Sequence, residues 1–212
     1  MVKAKSAKNP TPGDYRLTEE DVAAIGDLLT GGGCIMLDPC CGDAMVASTI
    51  AHVAGTDVLG FEKDDHIVKA PLDDTKQKTV VIYEDFFDVD IKGKPFGAVY
   101  LNPPINGNGI QRRFLEKATS LMPFDGVLVL ILPKDGFDGG VTAHLASWYK
   151  DVVVFKAAGS PGMRILLGAK KHYRETDGST IAELLKKPVS YDKRDRDLEF
   201  TIPKTVSSID LI

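Results

Sequence analysis

The stretch CIMLDPCCGDAMVASTIAHVAGTDVLGFE, residues 34–62, reads as strand, glycine turn, helix and strand in succession. Cys34-Ile35-Met36-Leu37 is a short apolar run of the kind that forms a buried strand. Ala44 to Val53 carries small and apolar residues and predicts a helix, and Asp57-Val58-Leu59-Gly60-Phe61 predicts the next strand. Between the first strand and the helix lies Leu37-Asp38-Pro39-Cys40-Cys41-Gly42-Asp43-Ala44. A glycine in such a turn lets the backbone approach a ligand closely, while the free N–H groups of the helix start and the Asp38 carboxylate offer polar partners. Glu62 then ends the second strand about 20 residues beyond Gly42, the spacing from which a carboxylate reaches ribose hydroxyls in doubly wound folds.

The same alternation continues outward. Val80–Tyr83, Ala98–Leu101, Val127–Leu132, Val152–Phe155 and Arg164–Leu167 predict further strands, and residues 111–121 predict a helix. Upstream, Thr18, Glu20 and Asp21 open a helix with Val22, Ile25, Leu28 and Leu29 on one face, stopped by Gly31-Gly32-Gly33. Val127 to Leu132 (VLVLIL) is the most hydrophobic run and predicts a central strand buried on both faces. Strands alternating with helices imply right-handed crossovers. The expected fold is α/β: a Rossmann-like, doubly wound, mostly parallel seven-stranded sheet with helices on both faces. Residues 1–13 read as a flexible arm and 14–212 as a single domain, with the polar segment 175–212 assigned no element.

Composition narrows the function. The 212 residues carry a net charge of −4, which argues against broad, sequence-indifferent nucleic-acid binding, although Lys and Arg crowd the last third. No apolar run approaches the ~18 residues that cross a bilayer. Cys34, Cys40 and Cys41 form neither a disulfide framework nor a zinc spacing, so a reducing cytoplasm is the expected location.

Asp85, in Tyr83-Glu84-Asp85-Phe86-Phe87, ends the third strand. Ligands of open α/β sheets bind beyond the carboxyl ends of the strands, so Asp38, Glu62 and Asp85 point at one crevice. Three carboxylates suit a neutral nucleoside better than a pyrophosphate. Leu101-Asn102-Pro103-Pro104-Ile105 ends the fourth strand. Two prolines remove two backbone donors, fix φ and force their predecessors out of helical geometry, giving a stiff turn that projects Asn102 and a carbonyl. An amino group on an aromatic ring is a poor nucleophile because its lone pair is delocalised. Accepting its two hydrogens with an amide oxygen and a carbonyl oxygen frees that lone pair without a strong base.

With Asp38-Pro39-x-x-Gly42, Glu62, Asp85 and Asn102-Pro103-Pro104 in this order, the chain resembles class I S-adenosylmethionine-dependent amino-methyltransferases, above all the adenine-N6 enzymes of DNA and RNA. The resemblance runs from about Thr11 to Ala169 and implies S-adenosyl-L-methionine as cofactor. It would set Asp38 near the methionine ammonium, Glu62 on the ribose and Asp85 on the adenine amino group, with Thr11, Pro39, Cys40, Gly42, Lys63 and Phe86 completing the cofactor site. Asn102 and the Pro103 carbonyl would hold the target amine, with Pro104 and Ile105 shaping the substrate side. Two departures stand out. Ala44 replaces a customary glycine, and Ile105 replaces the aromatic residue that stacks on a flipped-out base. About forty residues follow the last expected strand, fewer than an independent recognition domain, which leaves a partner subunit, a short or structured target, or low specificity as the ways to choose a target. Transfer to a protein glutamine amide or to guanine N2 of RNA are alternatives, as is a non-catalytic Rossmann-like binding module.

Overall fold

The structure, a computed structural model, describes residues 17–64, 77–105, 108–174, 178–194 and 197–205. Along these the chain forms α1 (Glu19–Gly26), β1 (Leu29–Thr30), β2 (Ile35–Asp38), α2 (Met45–Ala54), β3 (Asp57–Phe61), β4 (Thr79–Ile82), β5 (Phe96–Leu101), α3 (Ile110–Ser120), β6 (Val127–Pro133), α4 (Gly139–Trp148), β7 (Tyr149–Lys156), β8 (Met163–Lys170), α5 (Gly178–Lys186) and β9 (Phe200–Thr201). A seven-stranded sheet runs in the order β4-β3-β2-β5-β6-β8-β7. Its members pair in parallel except β8, which is antiparallel to both neighbours.

Strand periodicity divides the core in two. Leu37, Leu59, Val99, Leu101, Leu128, Leu130, Leu132 and Leu166 face α3, α4 and α5. Met36, Val58, Ala98, Val127, Val129, Ile131 and Ile165 face α1 and α2. VLVLIL is therefore apolar at every position because alternate side chains enter different cores.

Helix α1 starts with a capping box: Thr18 Oγ1 accepts from the Asp21 N–H, and Asp21 accepts from the Thr18 N–H. The expected helix extended to Leu29, but α1 ends at Gly26. Leu28 and Leu29 stay buried, yet the chain there turns extended and β1 pairs in parallel with β9. That pairing also places part of the segment left unassigned in the sequence, within its described residues 178–194 and 197–205. After β8 the chain forms α5 against α4 and β7, then bridges the outer edge of β7 at Phe155↔Val189. Tyr191 stacks on Phe155 at 4.7 Å, and Phe200 and Ile202 complete the core on the α1–α2 face. Gly97 of β5 makes room for this return, since a Cβ there would lie 2.5 Å from the Pro203 carbonyl. Helix α4, absent from the expected elements, opens on Asp138, whose carboxylate accepts from the Val141 N–H at 2.8 Å.

Candidate active site

Strand order reverses between β2 and β5, the switch point at which doubly wound sheets open a crevice at their carboxyl edge. Period-two geometry then aligns the polar residues. Asp38 shares its parity with Met36 and closes that α1–α2-facing row at the end of β2, while Glu62 with Val58 and Gly60, and Asn102 with Ala98 and Tyr100, continue theirs one residue past β3 and β5.

Asp38 is 2% exposed and, among the described residues, accepts a hydrogen bond from the Cys40 N–H at 3.3 Å. Loss of water pushes its carboxyl up to about 8, and the nearby Glu62 and Asp43 charges push the same way against that hydrogen bond. Such a group favours a cationic partner. The turn beyond it is pinned to β3, where the Cys41 N–H donates to the Phe61 carbonyl at 2.9 Å. Both Glu62 oxygens are held by backbone, Oε2 by the Gly42 N–H and Oε1 by the Asp64 N–H, each at 3.0 Å. The carboxylate is thus fixed beside the glycine turn with lone pairs to spare. Gly42 has φ +54°, and the space a side chain would fill is open.

Ala44 also lies in the left-handed region, at φ 56°, ψ 4°. An L-residue there costs about 1–2 kcal/mol, which is why glycine suits this position and why alanine keeps the same turn. Gly60 is required for a different reason. A Cβ on it would come within 2.7 Å of Cys41 Sγ, so the Cys40-Cys41 turn folds down onto β3 only over a glycine. Burial, then the Asp38 charge, hold the Cys40 and Cys41 thiols well above their ordinary values, so both serve as packing groups.

Asp85 follows β4, and its Oδ1 accepts from the Phe87 N–H at 2.9 Å. Phe86 lies beneath the crevice, 2% exposed among Phe61, Phe87 and Phe114. Lys117 anchors this loop by donating to the Phe86 and Val89 carbonyls at 2.5 and 2.7 Å. Pro39 is buried and Lys63 exposed at the rim, while Thr11 lies outside the described residues.

Across the switch point, Cys40 Sγ donates to the Asn102 carbonyl oxygen at 3.5 Å, joining the glycine turn to the Asn-Pro-Pro turn. Asn102 is half-buried, Pro103 buried and Pro104 exposed, and Ile105 packs against the core on the α3–α5 face. Arg112 pairs with Glu116 at 2.8 Å, and the Arg113 guanidinium lies 4.5 Å from the Phe87 ring centre. Tyr100, inside the expected strand Ala98–Leu101, is 3% exposed; burial pushes its phenol well up, and the Asn102 side chain beside it acts the other way. Its position two residues before Asn102 on one strand was the available signal. Among the described residues no cluster of His, Cys, Asp and Glu is suited to a metal ion. A cavity of about 390 Å³, lined by Asp125, Lys150 and Phe200 among others, opens at the opposite, amino edge and takes no part in this constellation.

No protein-family model matches the chain, and no curated protein matches its sequence. Solved structures do match in fold. TYW2 of M. jannaschii, in complex with AdoMet, superposes with a TM-score of 0.53 at 14% identity, over 76% of this chain and 80% of that one. The tRNA (m1A58) methyltransferase TrmI of Aquifex aeolicus gives 0.51 at 12% identity, over 79% and 72%. A Listeria monocytogenes protein provisionally assigned to the class I S-adenosylmethionine-dependent methyltransferases gives 0.52 at 14% identity. This chain spans 58% of that protein's length, with 71% of itself aligned. The fold is that of the class I methyltransferases. No helix among the described residues is long and apolar enough to cross a membrane.

Proposed function

We propose that the chain is an S-adenosylmethionine-dependent methyltransferase acting on an exocyclic amino group, most directly adenine N6 in DNA or RNA. One observation carries this reading. Asp38, Glu62 and the Asn102-Pro103-Pro104 turn converge at the carboxyl edge on either side of the switch point, joined by the Cys40–Asn102 contact. The residues suit the cofactor: a buried carboxylate whose charge burial disfavours would be held ionised by an ammonium group, and a backbone-fixed carboxylate beside an open glycine fits vicinal hydroxyls.

The bound cofactor supplies an electrophilic methyl group. The chain's own residues orient and polarise the acceptor. The Asn102 side-chain oxygen and the Pro103 carbonyl accept the two N–H groups of the target amine, which draws it toward tetrahedral geometry and exposes its lone pair. The stiffness of the two prolines keeps the backbone that carries both acceptors in place before the substrate arrives. Ile105, packed on the core, offers an aliphatic face to a base in place of an aromatic ring. Nucleic acid as substrate accords with the fold neighbour named a tRNA methyltransferase, and a partner subunit would supply target recognition.

The test is to incubate the protein with labelled S-adenosylmethionine and, separately, unmethylated DNA, total RNA and a protein extract, then to digest and identify the product. N6-methyladenine supports the proposal. Label in N5-methylglutamine or N2-methylguanine moves the substrate and keeps the transfer, whereas absence of cofactor binding by folded protein removes the activity altogether.

A further inference from the structure

One end of the sheet carries positive charge that the fold around it does not balance. Strand β8 is antiparallel to β6, so its first residues lie at the carboxyl edge: Met163 pairs with Pro133 and Arg164 with Leu132. On its other side Arg164 stands directly opposite Lys156, the last residue of β7. Residues opposite one another in an antiparallel pair share a face, with Cβ atoms about 5 Å apart, and like charges so placed are destabilising. Leu132 belongs to the α3–α5 core, which sets both cations on that side.

Arg164 is only 8% exposed. Its Nη1 donates to the Pro161 and Met163 carbonyls at 2.8 Å each, while its buried Nε has no partner. A guanidinium keeps its charge, and a buried charge without a counter-charge is costly. Among the described residues no carboxylate pairs with Arg164 or with the exposed Lys156. Of the acids at this edge, Asp135 is exposed and Asp138 is engaged by the Val141 N–H and the Gln111 amide. Lys186 closes α5 on the same face, and Lys187 follows it two residues before Val189 bridges β7 at Phe155. The chain as a whole is at −4, so this excess of cations is local.

An anion between Arg164 and Lys156 would relieve both costs. Strand β8 lies two strands from β5, about 10 Å across the sheet from the row that ends in Asn102 and on the side away from Glu62. The position is therefore on the acceptor side of the crevice. We propose that Arg164 and Lys156 form a phosphate subsite for the backbone of a nucleic-acid substrate, with Lys186 and Lys187 extending the track. The subsite rests on the nucleic-acid reading of the function.

Lys156→Glu turns the like-charge pair into an opposite one without touching a buried group. Anisotropy of a labelled, adenine-containing single-stranded oligonucleotide, made as DNA and as RNA, is followed through a salt series. Affinity should fall about tenfold, and the slope of log K against log salt should flatten by about one. Affinity for S-adenosylmethionine should not change, and the melting temperature of the free protein should rise by roughly 1–4 °C. Arg164→Gln should weaken oligonucleotide binding and flatten the slope in the same way. Unchanged binding and slope in Lys156→Glu would overturn the proposal. So would a loss confined to Arg164→Gln and matched by a lower melting temperature, which would make Arg164 a strap for the 161–163 turn alone. A parent protein that binds neither oligonucleotide overturns the nucleic-acid reading together with the subsite. Binding that both variants weaken, in a protein that transfers no methyl group, overturns the methyltransferase reading and leaves the subsite standing.

Discussion

Affinity for S-adenosylmethionine should rise steeply between pH 6 and 8, and should lose that dependence in Asp38→Asn. Asp38 is 2% exposed, accepts the Cys40 N–H and feels Glu62 and Asp43, which together with burial put its carboxyl at about 8. An ammonium group binds the ionised form. With that value, roughly 1% of the free protein is ionised at pH 6 and roughly 9% at pH 7, a gain close to tenfold or ~1.3 kcal/mol. The rise levels off near pH 8, where the α-amino group itself begins to lose its proton at ~7.7–8.0. The sign is opposite for the protein alone. A raised carboxyl pKa means the native state binds more protons than the unfolded chain between about 4 and 8, so unliganded stability falls as pH rises through that window. Asp38→Asn should flatten both trends and leave only weak binding. Calorimetry at pH 6, 7 and 8 in phosphate and in Tris measures affinity and proton release together. At pH 7 about 0.9 proton should leave Asp38 while the partly neutral α-amino group takes up ~0.1, a net release of ~0.8 per cofactor bound. An affinity in the parent protein that is flat from pH 6 to 8, with no buffer-dependent heat, would refute the assignment of Asp38 to the ammonium.

Gly60→Ala should weaken cofactor binding about tenfold by lifting the Cys40-Cys41 turn off β3, and adding Cys41→Ala should restore most of it by removing the sulfur that the new methyl meets at 2.7 Å; failure of the double variant to recover would assign the defect elsewhere. Phe200→Ala, at a side chain 4% exposed in the α1–α2 core, should destabilise the protein by about 3–5 kcal/mol in urea unfolding, whereas a loss under about 1 kcal/mol would mean that β9 docks without supporting the core. His144 is pulled down to about 4, chiefly by burial, in a network where Thr119 Oγ1 meets its Nε2 at 2.9 Å and the Tyr149 hydroxyl at 2.7 Å. A depressed histidine contributes stability above its unfolded value near 6.5 and loses it as pH falls toward 4, so His144→Gln should shallow the decline in melting temperature across that window.

Much of this molecule follows from local sequence. The inner strands were legible because a buried strand must be an apolar run of limited length, and VLVLIL could only be central because both of its faces meet a core. Asp38, Glu62 and Asn102 were legible as a group because strand ends in a parallel sheet necessarily lie on one edge, whatever the details of packing. Other features depended on contacts distant in sequence. Nothing near Leu28 says that α1 stops at Gly26, since the strand that draws Leu29 and Thr30 out of helical geometry lies some 170 residues away at Phe200–Thr201. In the polar tail, Ile181, Leu184 and Leu185 keep the spacing of a helix face, but the described residues that dock its end, Phe200 and Ile202, are too sparse to show a period. The hydroxyl of Tyr100 was hidden for the same reason. An aromatic residue in an apolar strand reads as core from its neighbours in sequence, and only the third dimension shows which polar group its oxygen meets.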